Sequence, residues 1–389
     1  MLIVKKFGGT SVSDTDKIKK IAKKIKDEKN DDCSIVVVVS AMGNTTDKFV
    51  SLAKEISSNP TPREMDILLS SGERITMSLL AIALEEIGVE SLSLTGSQCE
   101  IITSSSHTNA RIVEIRATRI KQSLKQNRVV IVAGFQGVSL EKEITTLGRG
   151  GSDTTAVAIA CAMGADKCEI YTDVDGIFTA DPRYIKSAKK LDFISYEQMI
   201  AMAYSGSGVM HTRALEIASN YNIDIEVKSS FTLKKGTIIK KEVKTLENKR
   251  VTSITNMDNL YYCKFKSNLK QRISLFKKFE KSGVDIFEYE LLDENLSLVF
   301  EKKFKPAIFH LLKTQGLEKV NLINVKSVSL IGHSISHNLS FVAQVLETIQ
   351  NYNIISVNRG DKDITIVISD EVNSQELIDV LHKRFIEKI

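Results

Sequence analysis

Residues 145–156 read Thr-Thr-Leu-Gly-Arg-Gly-Gly-Ser-Asp-Thr-Thr-Ala. Glycines at 148, 150 and 151 leave the backbone free to bend sharply and to approach a ligand closely. Ser152, Asp153, Thr154 and Thr155 lead into a small apolar run at 156–160 that suits a buried helix. A glycine turn, hydroxyls and then a helix N-terminus present backbone N–H groups and a positive dipole end to an anion. Arg149 adds a fork that can grip a carboxylate or a phosphate with two hydrogen bonds. Taken alone, the same loop also fits a strand-to-helix turn that merely needs glycine.

Four further polar stretches carry the same kind of residue. Lys5-Lys6-Phe7-Gly8-Gly9-Thr10-Ser11 closes an apolar strand, so that Gly8 and Gly9 can set amides against phosphate oxygens while Lys6 supplies a point charge. Residues 40–47 (Ser-Ala-Met-Gly-Asn-Thr-Thr-Asp) follow the most apolar strand. Residues 70–74 (Ser-Ser-Gly-Glu-Arg) put a carboxylate beside glycine as a polar turn in a region that otherwise has helical spacing. Residues 171–183 place Asp173, Asp175 and Asp181 around a glycine turn. Asp173 and Asp175 also suit ordinary turns, and a calcium loop is disfavoured because its terminal Glu is missing. Several such turns at strand ends in one α/β unit point to a nucleotide-phosphate site.

The elements that must hold these turns alternate strand and helix over the first ~245 residues, the pattern of a parallel sheet wrapped by helices. Strands are expected at 2–7, 35–40, 91–95, 129–134 and 169–172, and helices at 16–27, 45–57, 63–87, 110–126 and 153–163. The stretch 235–249 is rich in Lys and Glu and reads as a linker. Beyond it, two successive strand–helix–strand–strand–helix runs (259–313 and 325–385) have the split βαβ layout of ferredoxin-like domains. Such a pair suits a small-molecule sensor or a dimerisation module.

Composition sets the class. At 389 residues the chain exceeds one ordinary core. Its 42% hydrophobic content, with 26% charged and 4 prolines, marks a folded globular protein. A net charge of +5 is small for this length, and no segment interleaves basic and aromatic residues, so nucleic acid is not an expected partner. The lysines at 17–29 flank the buried stripe of Ile18, Ile21, Ala22 and Ile25 and read as a solvated helix face. Five cysteines at 33, 99, 161, 168 and 263 are odd in number and unclustered, which fits free thiols in a reducing cytoplasm. The apolar N-terminal run meets Lys5 too early for a signal peptide. No apolar segment is expected to approach a membrane span.

The ordered motifs at 6–11 (Lys-Phe-Gly-Gly-Thr-Ser), 40–42 (Ser-Ala-Met), 72–73 (Gly-Glu), 104–111 (Ser-Ser-Ser-His-Thr-Asn-Ala-Arg), 132–137, 145–155 and 171–183 together resemble the aspartate kinases. The resemblance covers residue 5 to about residue 236. It implies an α/β architecture: a parallel-sheet-centred αβα amino acid kinase domain (1–245) followed by two ferredoxin-like ACT domains (250–322 and 323–389). It also implies phosphorylation of the L-aspartate side chain by MgATP, with ATP and Mg2+ as cofactors, as the first step toward lysine, threonine, methionine and diaminopimelate. The family's catalytic roles fall on Lys6 and Asp153, Asp153 orienting the lysine. Substrate contacts fall on Ser40, Thr45, Glu73, Arg149, Gly150, Gly151 and Ser152, with Glu73 on the ammonium and Arg149 on the α-carboxylate. Nucleotide contacts fall on Lys6, Phe7, Gly8, Gly9, Ser40, Ser152, Thr172, Asp173, Phe178, Thr179, Ala180, Asp181, Pro182 and Arg183. The implied partners are L-aspartate, MgATP, lysine or threonine as effector, and further copies of the chain in a homodimer or larger assembly, without nucleic acid or membrane.

Some positions depart from the family pattern. Ser267-Asn268-Leu269-Lys270 stands where a Pro-Gly turn is usual, and 333–337 (His-Ser-Ile-Ser-His) where small residues are usual. These departures imply altered feedback by lysine or threonine. Kinases of the same fold acting on glutamate, acetylglutamate, carbamate or UMP lack this combination of motifs. A non-catalytic, effector-binding relative is the reading from a different class, and retention of Lys6, Glu73, Arg149 and Asp153 speaks against it. Many family members carry an ATP-contacting lysine where this chain has Gly208. Gly208→Lys is therefore predicted to lower the KM for ATP in steady-state kinetics, and an unchanged value would contradict that role.

Overall fold

The computed structural model describes residues 1–232, 234–241, 251–317 and 320–388. In chain order the first part runs β1 (Leu2–Phe7), α1 (Thr15–Glu28), β2 (Ser34–Val39), α2 (Thr45–Ile56), α3 (Pro62–Glu86), β3 (Ser91–Leu94), β4 (Ile101–Thr103), β5 (Ile112–Ile115), α4 (Thr118–Lys125), β6 (Val129–Ala133), β7 (Gln136–Ser139), β8 (Ile144–Thr146), α5 (Gly151–Met163), β9 (Lys167–Thr172), β10 (Phe193–Ser195), α6 (Tyr196–Tyr204), α7 (Thr212–Tyr221), β11 (Ile225–Ser229) and β12 (Thr237–Lys240). An eight-stranded sheet has the order β10-β12-β11-β9-β1-β2-β6-β3, parallel except where β11 meets β12. β2 is buried along nearly its whole length, as its unbroken β-branched run requires of a strand covered on both faces. Ile3, Phe7, Ile35, Val37 and Val39 pack with Ile18, Ile21 and Ile25 of α1 and with Met77, Leu80 and Leu84 of α3. Helix α5 packs on the opposite face of β1, β2 and β9. A smaller sheet, β5-β4-β7-β8, leans on α3 through β8.

Three sequence expectations change. Residues 110–126 are not one helix: β5 comes first, and Ala117 at φ +56° turns the chain into α4. The polar stretch 70–74 is not a turn but lies inside α3. Gly72 is needed there because a Cβ would come 2.8 Å from the Ala41 side chain, so the helix touches the turn after β2. Third, α3 is long and apolar enough to cross a membrane by length and composition. Half of its apolar window is buried, and Asp66, Ser70, Glu73 and Thr76 are buried along it.

The chain forms two compact units, one of Met1–Ile177, Lys190–Ile200 and Gly208–Lys244, the other of Phe178–Lys189, Ala201–Ser207 and Thr245–Ile389. A single cut near residue 245 would therefore assign 178–189 and 201–207 to the wrong unit. Most of the expected linker lies outside the described residues, while Thr237–Lys240 form β12.

In the second unit follow β13 (Val251–Lys266), α8 (Leu269–Lys281), β14 (Glu288–Leu292), β15 (Asn295–Glu301), α9 (Lys305–Lys313), β16 (Leu322–Gly332), α10 (Leu339–Ile349), β17 (Ile354–Arg359), β18 (Asp363–Ser369) and α11 (Ser374–His382). They make one antiparallel sheet, β14-β15-β13-β16-β18-β17. The C-terminal half of β13 pairs with β15, whereas its start, from Val251 to Met257, pairs with the end of β16. The second ferredoxin-like repeat thus takes its fourth strand from residues preceding the first repeat. A boundary at 322/323 would cut β16, which serves both. Asn268 caps α8 in a capping box with Gln271, supplying by side chain what a Pro-Gly turn would supply by backbone.

Candidate active site

Successive strand residues point to opposite faces, and the paired lysines that end β1 show it. Lys5 turns toward α1 and meets Glu28 and Glu169. Lys6 turns toward α5, where its Nζ lies 2.6 Å from Oδ1 of Asp153. Both members of the second pair are about nine-tenths buried. Asp153 sits in the first turn of α5, where the helix dipole favours a carboxylate. The helix begins at Gly150, held at φ +67° with His211 packed so closely that a Cβ would come 2.3 Å from it. Only glycine fits.

A cavity of about 270 Å³ opens at the carboxyl ends of the strands, between the α3 and α5 faces. Lys6, Gly9, Ser40, Glu73, Arg149, Gly150, Gly151, Ser152 and Asp153 line it, together with Ala41, Gly43, Thr46, Phe135 and Gly148. The turns after β1 and β2 are tied by a hydrogen bond from the Gly43 amide to the Gly9 carbonyl at 3.0 Å. Ser152 and Asp153 are buried, while Arg149 is exposed at the mouth. Glu73 is 3% exposed. Its Oε1 accepts a hydrogen bond from the Ala41 amide at 3.1 Å, and its Oε2 is buried with no partner. Burial pushes its carboxyl up to about 7, against the opposing effect of the Ala41 amide. An acceptor held out of water without a partner is suited to a cation that arrives with a ligand.

Several expected contacts lie elsewhere. Thr45 does not line the cavity: its hydroxyl donates to the Met42 carbonyl at 2.6 Å, and Thr46 takes the lining position. The Phe7 ring is fully buried and stacks on Tyr171, with centroids 4.6 Å apart. Gly8 donates its amide to the Tyr171 carbonyl at 3.2 Å. Thr172 ends β9 and Asp173 follows it in the first unit, joined by a 3.0 Å hydrogen bond from the Thr172 hydroxyl. Phe178, Thr179, Ala180, Asp181, Pro182 and Arg183 belong to the second unit. There Ala180 is in the core, the Thr179 hydroxyl meets Nε2 of His382 at 2.9 Å, and Arg183 forks onto Asp181.

Sequence reasoning assigned no role to Asp66 or Arg213. Asp66 is fully buried in α3 and takes hydrogen bonds from the Thr108 amide and the Thr146 hydroxyl, with His107 alongside. Arg213 of α7 donates to the carbonyls of Leu147 and Ala110. Both lie outside the motifs at 70–74 and 145–155, and nothing in the linear string shows that they converge on one loop.

Residues 1–229 match the model of the amino acid kinase family. The chain is 41% identical to an aspartokinase of Geobacillus stearothermophilus, over 99% of this chain and 97% of that protein. E. coli aspartokinase III in complex with aspartate and ADP (R-state) shares the fold, with a TM-score of 0.86 at 22% identity, covering 98% of this chain and 99% of that one. The same protein with lysine and aspartate (T-state) has a TM-score of 0.79 at 23% identity, covering 99% of each chain.

Glu73 yields a prediction that needs no substrate. Its folded pKa lies above the ordinary 4.5, so the native state keeps a proton that the unfolded chain releases, and stability falls as pH rises from 4.5 toward 7. Glu73→Gln should remove that fall, gaining on the order of 3 kcal/mol at pH 8 and little near pH 4. Urea unfolding at both pH values reads this out; equal stability of the two proteins at pH 8 would contradict it.

Proposed function

The chain belongs to the amino acid kinase family, and within it to the aspartokinases, and we propose that it transfers the γ-phosphoryl group of ATP to the side-chain carboxylate of L-aspartate. The observation that carries this reading is the single cavity in which a buried, unpartnered Glu73 oxygen, the exposed Arg149 fork and the Lys6–Asp153 pair converge. An ammonium, a carboxylate and a phosphoryl group each find their complement there. The product is 4-phospho-L-aspartate.

A side-chain oxygen of aspartate forms the new bond to the γ-phosphorus, the bond to the β–γ bridging oxygen breaks, and the electron pair leaves on ADP. No proton need move, because a carboxylate is already a nucleophile. The obstacle is bringing two anions together, so catalysis reduces to positioning and charge neutralisation. Lys6 neutralises charge on the transferring group while Asp153 fixes its direction. The Gly9 amide and the N-terminal turn of α5 would face the phosphates, whereas the Gly8 amide is spent on the Tyr171 carbonyl. Glu73 takes the substrate ammonium and Arg149 its α-carboxylate, with Ser40, Thr46 and Ser152 as hydroxyl partners. Mg2+ brought in with the nucleotide would supply further neutralisation of phosphate charge beside Lys6.

Thr172 and Asp173 are the nucleotide contacts proposed in the first unit. Roles for Phe178, Asp181, Pro182 and Arg183 rest on family resemblance alone, whereas the Thr179 and Ala180 side chains are buried in the second unit. That unit is proposed as regulatory, with lysine or threonine as effector, and as a contact between copies of the chain. The lysine-bound T-state is a property of the E. coli protein.

Trapping the acyl phosphate as a hydroxamate tests the activity. Aspartate with MgATP should give product and glutamate should not, and Lys6→Met should lower kcat by about a hundredfold or more. Absence of aspartyl hydroxamate would favour the non-catalytic reading.

A further inference from the structure

We propose that Asp66 is a positioning residue for substrate recognition, fixing from α3 the chain segments that hold the Arg149 turn. The proposal rests on the reading above, in which Arg149 binds the substrate α-carboxylate. Asp66 is 0% exposed and does not line the cavity, so it acts through its neighbours. Its Oδ1 accepts from the Thr108 amide at 3.0 Å and from the Thr146 hydroxyl at 2.5 Å. Its Oδ2 lies 3.1 Å from the same amide and 2.7 Å from Nδ1 of His107. A buried carboxylate is costly unless its lone pairs are used, and these are used on two strands of chain at once.

Both strands frame the turn. Thr146 ends β8 just before Leu147-Gly148-Arg149, and its carbonyl accepts from the Ala110 amide at 2.9 Å. The Thr108 carbonyl packs so close to Gly148 that a Cβ there would come 3.1 Å from it. Arg213 of α7 donates to the Leu147 carbonyl at 2.5 Å and to the Ala110 carbonyl at 2.9 Å. The turn is gripped from α3 and from α7, while the Arg149 side chain stays exposed.

Asp66 and Glu73 lie two turns apart on one face of α3, about 10 Å along its axis. One rigid helix thus places the group that meets the ammonium and anchors the loop that meets the carboxylate. Their separation is set by helix geometry rather than by a loop.

Steady-state kinetics in both substrates tests this. Asp66→Asn and Thr146→Val should each raise the KM for aspartate, by about tenfold for Asp66→Asn, while the KM for ATP and kcat change by less than about threefold. Thr146→Ser, which keeps the hydroxyl, should restore near wild-type behaviour. In an Arg149→Ala background, Asp66→Asn should add no further rise in aspartate KM, since coupled residues are not additive. Thr146→Val removes one hydrogen bond only and carries the test if Asp66→Asn does not fold. A wild-type aspartate KM in Thr146→Val beside a crippled Arg149→Ala overturns the clasp alone. Parallel rises in both KM values overturn it as well. A wild-type aspartate KM in Arg149→Ala overturns the assignment of Arg149, and the proposal with it.

Discussion

Lys6 is a cation that the fold holds almost out of water at the end of β1, and its ion pair with Asp153 is what makes that position tenable. Breaking such a pair leaves an uncompensated buried charge, at a cost of several kcal/mol. The pair also joins the central strand to the first turn of α5, so one interaction sets the glycine turn after β1 and the helix N-terminus in register. Its neighbour Lys5 is held in the same way on the other face by Glu169, whose carboxyl is pulled far below the usual range by Lys5, Lys167 and Lys228 despite its burial. Two adjacent lysines, each compensated on its own face, let β1 carry charge into the core without destabilising it.

Glu73 represents the opposite choice. Its second oxygen is left without a partner, and on the proposed reading a substrate ammonium meets that oxygen. Binding energy is then concentrated where the ligand must be recognised, at the expense of stability in the free protein. Helix α3 makes this workable. Gly72 brings it against the turn after β2, and Gln136 ties it to the smaller sheet through a 2.8 Å hydrogen bond to the Ser70 carbonyl. A rigid support keeps the unpaired carboxylate aimed at the cavity.

Much of this was legible in the string of residues. β1 is bounded where the apolar run suggests, and α5 ends at Met163 as expected although it starts two residues early, at Gly151. The helix expected over 63–87 runs through the Gly-Glu step without the turn that glycine suggests there; a contact with Ala41, invisible in sequence, requires the glycine. Thr45 and Thr46 are indistinguishable by type, and only the cap of α2 decides which hydroxyl is spent on the backbone. The short strands β4, β5, β7 and β8 carry too few residues for a period to show. β13 hid its double role because strand pairing is a long-range property: Val251–Met257 finds its partner some seventy residues on, not beside its own repeat.

The account turns on Glu73 being the group that meets the substrate ammonium. With its carboxyl at about 7 in the empty site, binding an ammonium must drive off the proton that a fraction of molecules carry. Calorimetric titration of L-aspartate at pH 7, in buffers of different ionisation enthalpy, measures that proton directly. The account predicts release of about half a proton per aspartate bound by the native protein and none by Glu73→Gln. Binding by the native protein without proton release, or an equal release from Glu73→Gln, would contradict it.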